Sequence, residues 1–159
     1  MTSIRGVTLR RGTRADWDAA RELAWKTFNE FDAVDYTPEG RQNFRKFLDD
    51  LTLLRLLGQG DYLLFVAILY GTTVGMLTLR DRVHISLLFV TGDCHRNGIG
   101  SALVELAAET VAAEYGGSFL TVNASHYAEP FYRKLGFVVT GSEQVQDGIR
   151  YTPMVLELE

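Results

Sequence analysis

The chain reads as a single α/β domain, residues 1–159, built on a mixed sheet. Three observations point there. Apolar runs and amphipathic stretches follow one another in the order β-α-α-β-β-β-α-β-α-β-β. The run "DYLLFVAILYGTTVGMLTLRDRVHISLLFV" is punctuated only by "YGTT" and "RDR", which predicts three antiparallel strands joined by tight turns. The stretch "LLFVTGDCHRNGIGSALVELAAE" then passes from a strand through a glycine turn into a helix.

Residues Gly6 to Arg10 form the first expected strand. "TRADWDAARELAWKTFNEF" is helical, with Thr13 as N-cap and Asp16 as its capping-box partner. "TPEGRQNFRKFLDDLTLLRLLGQG" reads as a second helical stretch, opened by Pro38 and ended by Gly58 and Gly60. After the three strands, Gly98 to Glu114 places Leu103, Leu106, Ala107 and Val111 on one helix face, and "YGG" stops it. "SFLTVNA" is a strand and "YAEPFYRKLGF" a short helix with Pro130 in its first turn. "FVVTGSE" and "RYTPMVLELE" close the sheet as a strand pair, which also offers a surface for a homodimer.

Hydrophobic residues make up 47% of the chain and charged residues 23%, values of an ordinary globular domain. The net charge of −4 argues against nucleic acid as a partner. One cysteine, Cys94, excludes an internal disulfide and a multi-cysteine metal site, so no metal is expected. "YLLFVAILY" is too short to cross a bilayer as a helix, and the N-terminus lacks a signal-like apolar segment. These features predict a cytoplasmic protein without a membrane partner.

The glycine loop carries the functional signal. A helix N-terminus exposes unpaired N–H groups with partial positive charge, and glycines let an anion approach them. The dinucleotide fingerprint fails because Ser101 and Ala102 follow Gly100, and the Walker pattern is absent. By itself the loop is either a phosphate cradle or a plain tight turn. Two blocks together decide for the first. His95, Arg96, Asn97, Gly98, Ile99 and Gly100 fit an Arg/Gln-x-x-Gly-x-Gly/Ala frame, and Asn123, Phe131, Tyr132, Gly136 and Phe137 fit Asn followed by Phe-Tyr-x-x-x-Gly-Phe. With their spacing, they resemble the GNAT superfamily of acetyl-CoA-dependent N-acetyltransferases. The chain departs from that pattern at His95, where the family usually has Arg or Gln.

The resemblance implies a mostly antiparallel sheet with a central, splayed parallel pair, Ile85–Val90 and Phe119–Asn123, and helices on both faces. It implies acetyl-CoA as the acetyl-donor cosubstrate. The pyrophosphate would rest on the amides of Arg96 to Ser101, and the pantetheine arm on the backbone of Leu88, Phe89 and Val90. Asn123 and Ser125 would orient the arm or a water; each also suits a turn cap. Tyr132 corresponds to the family's general acid toward the CoA thiolate, although by composition it is simply a packed aromatic. The reaction implied is direct attack of a primary amine on the thioester. The alternative is a non-catalytic acyl-CoA-binding or sensing module, which would not need Tyr132.

An amine must lose a proton before it attacks. His84 has the side chain whose ordinary pKa lies nearest neutrality and is a candidate relay, or else a hydrogen-bonded strand histidine. Glu30, Asp32 and Asp35 fall where relatives line the acceptor pocket, and with Phe31 and Tyr36 they suit a cationic, partly apolar amine. His126 and Cys94 read as structural.

Overall fold

In the computed structural model, residues 4–95, 97–146 and 148–159 are described. Strand β1 (Val7–Arg11) leads through a 3-10 turn into helix α1 (Trp17–Thr27). The helical path then loosens into a π turn, Phe28–Asp32, and a 3-10 turn, Ala33–Asp35. Helices α2 (Pro38–Leu48) and α3 (Leu51–Gln59) follow, then strands β2 (Tyr62–Leu69), β3 (Thr72–Arg80) and β4 (His84–Val90). Helix α4 (Ile99–Tyr115), strand β5 (Phe119–Ala124), helix α5 (Glu129–Lys134) and strands β6 (Val138–Val139), β7 (Gln144–Gln146) and β8 (Ile149–Glu157) complete the chain.

Two expected helices are subdivided for local reasons. The first has the expected box: the Thr13 N–H donates to Asp16 Oδ2 at 2.7 Å. Arg10 adds a two-pronged grip on Asp16 at 2.9 and 3.0 Å, which holds that carboxyl down at about 2. The expected stretch from Thr37 to Gly60 is two helices. Thr37 caps α2 by accepting from the Gly40 N–H, and Asp50 restarts the chain as α3 by accepting from the Thr52 N–H. An aspartate offers the backbone an alternative partner, so it begins a helix more readily than it continues one.

The strand order is β1-β2-β3-β4-β5-β8-β6, with β7 paired to β8. Every neighbour is antiparallel except β4 and β5. Helices cover both faces. On β2, Leu63, Phe65 and Ala67 face a core shared with α4 and α5. Tyr62, Leu64 and Val66 face a second core shared with α1, α2 and α3. A strand buried on both sides must be apolar at every position, which accounts for the unbroken run of β2.

Strand β4 breaks that alternation. Thr78 of β3 pairs with Leu87, and Leu79 pairs with Ile85, so Ser86 is an extra residue. Such a bulge bends a strand and reverses the faces beyond it. Ile85 accordingly faces the first core and Leu87 the second. The parallel pairing covers only His84↔Thr121 and Ile85↔Val122. Past those pairs the two strands part, as the resemblance implies. Among the described residues no helix is long and apolar enough to cross a membrane.

One contact ties the last hairpin to the helical layer. The Thr37 hydroxyl donates to the Gly148 carbonyl at 3.3 Å, and a Cβ on Gly40 would overlap that same carbonyl. Gly40→Ala should therefore lower stability by about 1–3 kcal/mol, the usual cost of overpacking. Gly58→Ala is the contrast: Gly58 is an exposed helical position with nothing within 4 Å of an added Cβ. It should raise stability by about 0.5–1 kcal/mol. Thermal and urea unfolding of the two variants, read beside the parent chain, check both signs.

Candidate active site

The splay of β4 and β5 opens the sheet, and two cavities meet there. The larger, about 910 Å³, lies between the end of β4, the glycine loop, the first turn of α4 and α5. The smaller, about 90 Å³, lies between the diverging strands and the helical segment that follows α1. Asp32, Leu88, Phe89, Ala128 and Tyr132 line both.

The first turn of α4 forms one wall of the larger cavity. Gly98 caps the helix with φ +81°, a left-handed conformation that a side chain would strain. The Ala102 N–H reaches back to the Gly98 carbonyl at 2.9 Å. The N–H groups of Ile99, Gly100 and Ser101 precede that first full turn and have no partner within the helix. All three residues line the cavity. With the helix dipole behind them, they make a seat for an anion. Gly100 serves packing as well: a Cβ there would lie 3.2 Å from the Phe131 ring and 3.8 Å from Val90.

His95 has a defined place. Its Nε2 donates to the Val90 carbonyl at 2.8 Å, so the last carbonyl of β4 is already engaged. The His95 ring also lies 4.6 Å from Phe31, which in turn stacks on Tyr127 at 5.5 Å. Three rings from the π turn, the loop and the segment before α5 thus join across the larger cavity, which all three line.

Tyr132 is 4% exposed and packs edge-on to Phe131 and Phe137. Its hydroxyl has no hydrogen-bond partner among the described residues. Burial, and then the charge of Asp32, push its pKa upward, so it keeps its proton throughout the neutral range. Asp32 is pushed up to about 7, by burial first and by Asp35 second. Tyr36 rises to about 12 for the same kind of reason: burial, then Asp32 and Asp35.

The expected site residues divide as follows. Leu88, Phe89, Val90, His95, Gly98, Ile99, Gly100, Ser101, Phe31 and Tyr132 line the larger cavity. Asn123, Ser125 and Tyr36 line the smaller one instead. Ser125 Oγ accepts from the Ala128 N–H at 3.1 Å, so it also caps the turn into α5. Asn97 is exposed on the loop and lines neither cavity, and Arg96 lies outside the described residues. Asp35 lines neither cavity and acts on the site only through its charge. Glu30 is exposed, as is His126, while Cys94 is buried in the wall of the larger cavity.

His84 lies apart from the other expected site residues. It sits where β4 and β5 are still paired, with Nδ1 2.8 Å from Thr121 Oγ1, and it lines neither cavity. Burial, and then Arg80, lower it to about 4. The ring is thus neutral near pH 7 and held by the sheet, apart from the two cavities.

Phe28, Phe44, Ser86 and Tyr127 were not singled out by the sequence. Phe28 and Phe44 stack at 4.3 Å and wall the smaller cavity. They share the helical apolar stripes of α1 and α2, a pattern that marks core and cavity wall alike. Ser86 joins Tyr62 and Thr78 in a buried hydroxyl cluster beside the smaller cavity. Nothing local in "HIS" announces a bulge.

This geometry can be set beside known proteins. The family profile described as "Acetyltransferase (GNAT) domain" matches residues 32–158. The UPF0039 protein C11D3.02c of Schizosaccharomyces pombe (strain 972) is 35% identical over 80 residues; that match spans 50% of this chain and 53% of the relative. The peptidyl-lysine N-acetyltransferase YjaB of Escherichia coli (strain K12) is 30% identical over 122 residues, covering 75% of this chain and 71% of the relative. A crystal structure of a GCN5-related N-acetyltransferase from Rhodopseudomonas palustris, "Aminotransferase, Class-II", superposes with a TM-score of 0.81 at 26% identity over 99% of both chains. The PaiA N-acetyltransferase of Thermoplasma acidophilum, solved in complex with coenzyme A, shares the fold at a TM-score of 0.75 and 19% identity, over 95% of this chain and 98% of its own. Its fold, its glycine loop and a profile match over most of its length assign the chain to the GNAT family of acetyltransferases, and it is an acyltransferase.

Proposed function

We propose that this chain transfers the acetyl group of acetyl-CoA to a primary amine by direct attack on the thioester. The observation that carries the reading is the position of Tyr132. Its hydroxyl has no partner among the described residues, and its ring lines both cavities where they meet. The larger cavity suits CoA: it ends at the N–H groups of the α4 first turn, which have no partner within the helix and make a seat for a pyrophosphate. The PaiA relative bound to coenzyme A supports the same assignment. The smaller cavity, with its aromatic walls and Asp32, suits the amine.

In this arrangement the amine nitrogen attacks the thioester carbonyl carbon. The N–C bond forms, the C–S bond breaks, and CoA leaves as a thiolate. Tyr132 gives its proton to that sulfur. A buried phenol whose pKa is raised by its surroundings arrives protonated, which is what a donor needs. The splayed edge of β4 offers backbone N–H groups to the carbonyl oxygen, which stabilises the oxyanion. The peptidyl-lysine acetyltransferase relative is consistent with an amine acceptor.

Two variants test the assignment. Tyr132→Phe removes one hydroxyl and leaves the ring packed. Acetyl-CoA affinity, by calorimetry, should hold, while kcat and kcat/KM fall together by roughly 10²–10⁴-fold. Wild-type kcat under conditions where chemistry limits the rate would remove Tyr132 from the mechanism. Gly100→Glu puts a carboxylate at the anion seat and drives a side chain at Phe131. It should weaken acetyl-CoA binding at least about tenfold, or about 1.4 kcal/mol; unchanged affinity in a folded variant would displace the phosphate site.

A further inference from the structure

We infer that Asp32 takes the proton from the acceptor, and that the acceptor arrives as a protonated primary amine. The inference rests on the acetyl-transfer reading above and names the acceptor's chemistry and its base. Its ground is a juxtaposition: Asp32 lines both cavities at their junction, and so does Tyr132. An acid for the departing thiolate and a base for the incoming amine are the two groups that direct aminolysis requires.

The surroundings of Asp32 select a cation. Its carboxylate has no hydrogen-bond or ion-pair partner among the described residues. The titratable groups around it are Asp35 and Tyr36 from its own segment and Tyr132 from α5. Cys94 and His95 of the loop, and Arg133 and Lys134 of α5, line the larger cavity. A half-buried carboxylate with a second acid as its neighbour gains strongly from an incoming ammonium. Phe28, Tyr36, Phe44 and Phe89 line the smaller cavity, an open cleft of about 90 Å³, and give the acceptor an apolar wall. Aromatic faces also favour an adjacent cation.

The protons balance. The ammonium passes one proton to Asp32, and the neutral nitrogen attacks. Its second proton replaces the one that Tyr132 gives to the departing sulfur. Asp32 then releases its proton to solvent, so each turnover forms one amide and one thiol and frees one proton. Asp32 is able to do this because burial and Asp35 set it near neutrality, where it is a stronger base than an ordinary carboxylate and still ionised above pH 7.

The discriminating measurement is kcat/KM for the amine against pH, from about 5.5 to 10, followed by thiol release. Two amine sources are used: a peptide carrying one lysine with a blocked N-terminus, and n-alkylamines of increasing length. If Asp32 deprotonates a bound ammonium, kcat/KM rises with unit slope up to about 7 and then stays flat until the amine itself deprotonates, at about 10.4 for lysine. Asp32→Asn should lose the plateau, so that activity climbs with unit slope to the amine's own pKa. It should also fall roughly 10²–10⁴-fold at pH 7.5 with acetyl-CoA affinity kept. Its Tm at pH 8 should be no lower than that of the parent, because the charge removed was an unfavourable one; a collapse of Tm would mean that Asp32 is structural.

A plateau above about pH 7 with either source, lost in Asp32→Asn, supports the inference, and the ratio of the two sources says whether the amine belongs to a peptide or is free. A parent profile that climbs without a plateau overturns it. That result leaves acetyl transfer standing. Absence of thiol release with every amine, despite acetyl-CoA binding, overturns both readings together.

Discussion

The site depends on the failure of β4 and β5 to stay paired. Parallel strands with matched twist would normally zip along their length, and here the pairing ends after Ile85↔Val122. The cause lies on the opposite edge of β4, where the extra residue Ser86 bends the strand and exchanges its faces. Backbone groups past the bulge on the β5 side are then without ladder partners, and an unpaired buried backbone group costs about 1–3 kcal/mol. The chain meets part of that demand itself, since His95 engages the Val90 carbonyl. What is left is a polar edge facing a large cavity, a natural seat for an extended ligand with amides of its own. The hydroxyls of Tyr62, Thr78 and Ser86 satisfy one another at the bulge, so the distortion is held without orphaned side-chain groups there.

Everything else converges on this opening. Helix α4 begins at its mouth because the glycine loop must turn there, and Gly98 alone can take the left-handed conformation without strain. From the opposite face, α1 unwinds through a π turn, and that looser geometry places Phe31 in the larger cavity and Asp32 at the junction. A regular helix would have rotated the two residues away from those positions. The aromatic stack of Trp25, Phe28 and Phe44 keeps the unwound segment against α2.

Asp32 costs the fold stability at neutral pH. Its folded-state pKa, about 7, lies well above the ordinary carboxylate value of 3.8. The native chain therefore holds that proton more tightly than the unfolded chain does. The resulting stabilisation is fully present below about pH 4 and is lost as the pH rises through about 7. At neutral pH the fold carries a charge it would be more stable without. Asp16 runs the other way: Arg10 holds it at about 2, so it stabilises the fold above the ordinary carboxylate range and loses that effect only in strong acid. One acid serves the architecture and the other the cleft, and the difference between them is solvent and partner, not residue type.

The sequence by itself determined the local framework. The periodicity of "YLLFVAIL", the tight turns after β2 and β3 and the strand–glycine–helix passage at Gly98 are each written in neighbouring residues, so the order from β2 to α5 was legible without coordinates, while β7 was not. The two motif blocks likewise singled out Tyr132, whose place on a short helix follows from "EPFYRKLGF". Tertiary structure decided what depends on residues far apart in the chain. It put Asp32 opposite Tyr132, a hundred positions later, and removed the water that would have kept an ordinary carboxylate ordinary. It placed His84 on the still-paired stretch of the sheet, against Thr121, because the point where the strands part is set by a bulge at Ser86. It also divided the run from Thr37 to Gly60 at Asp50, where a capping bond outweighed a continuous helical pattern. Hydrophobic spacing and caps act within a few residues; the protonation state and partners of a side chain are set by whatever the fold brings to it.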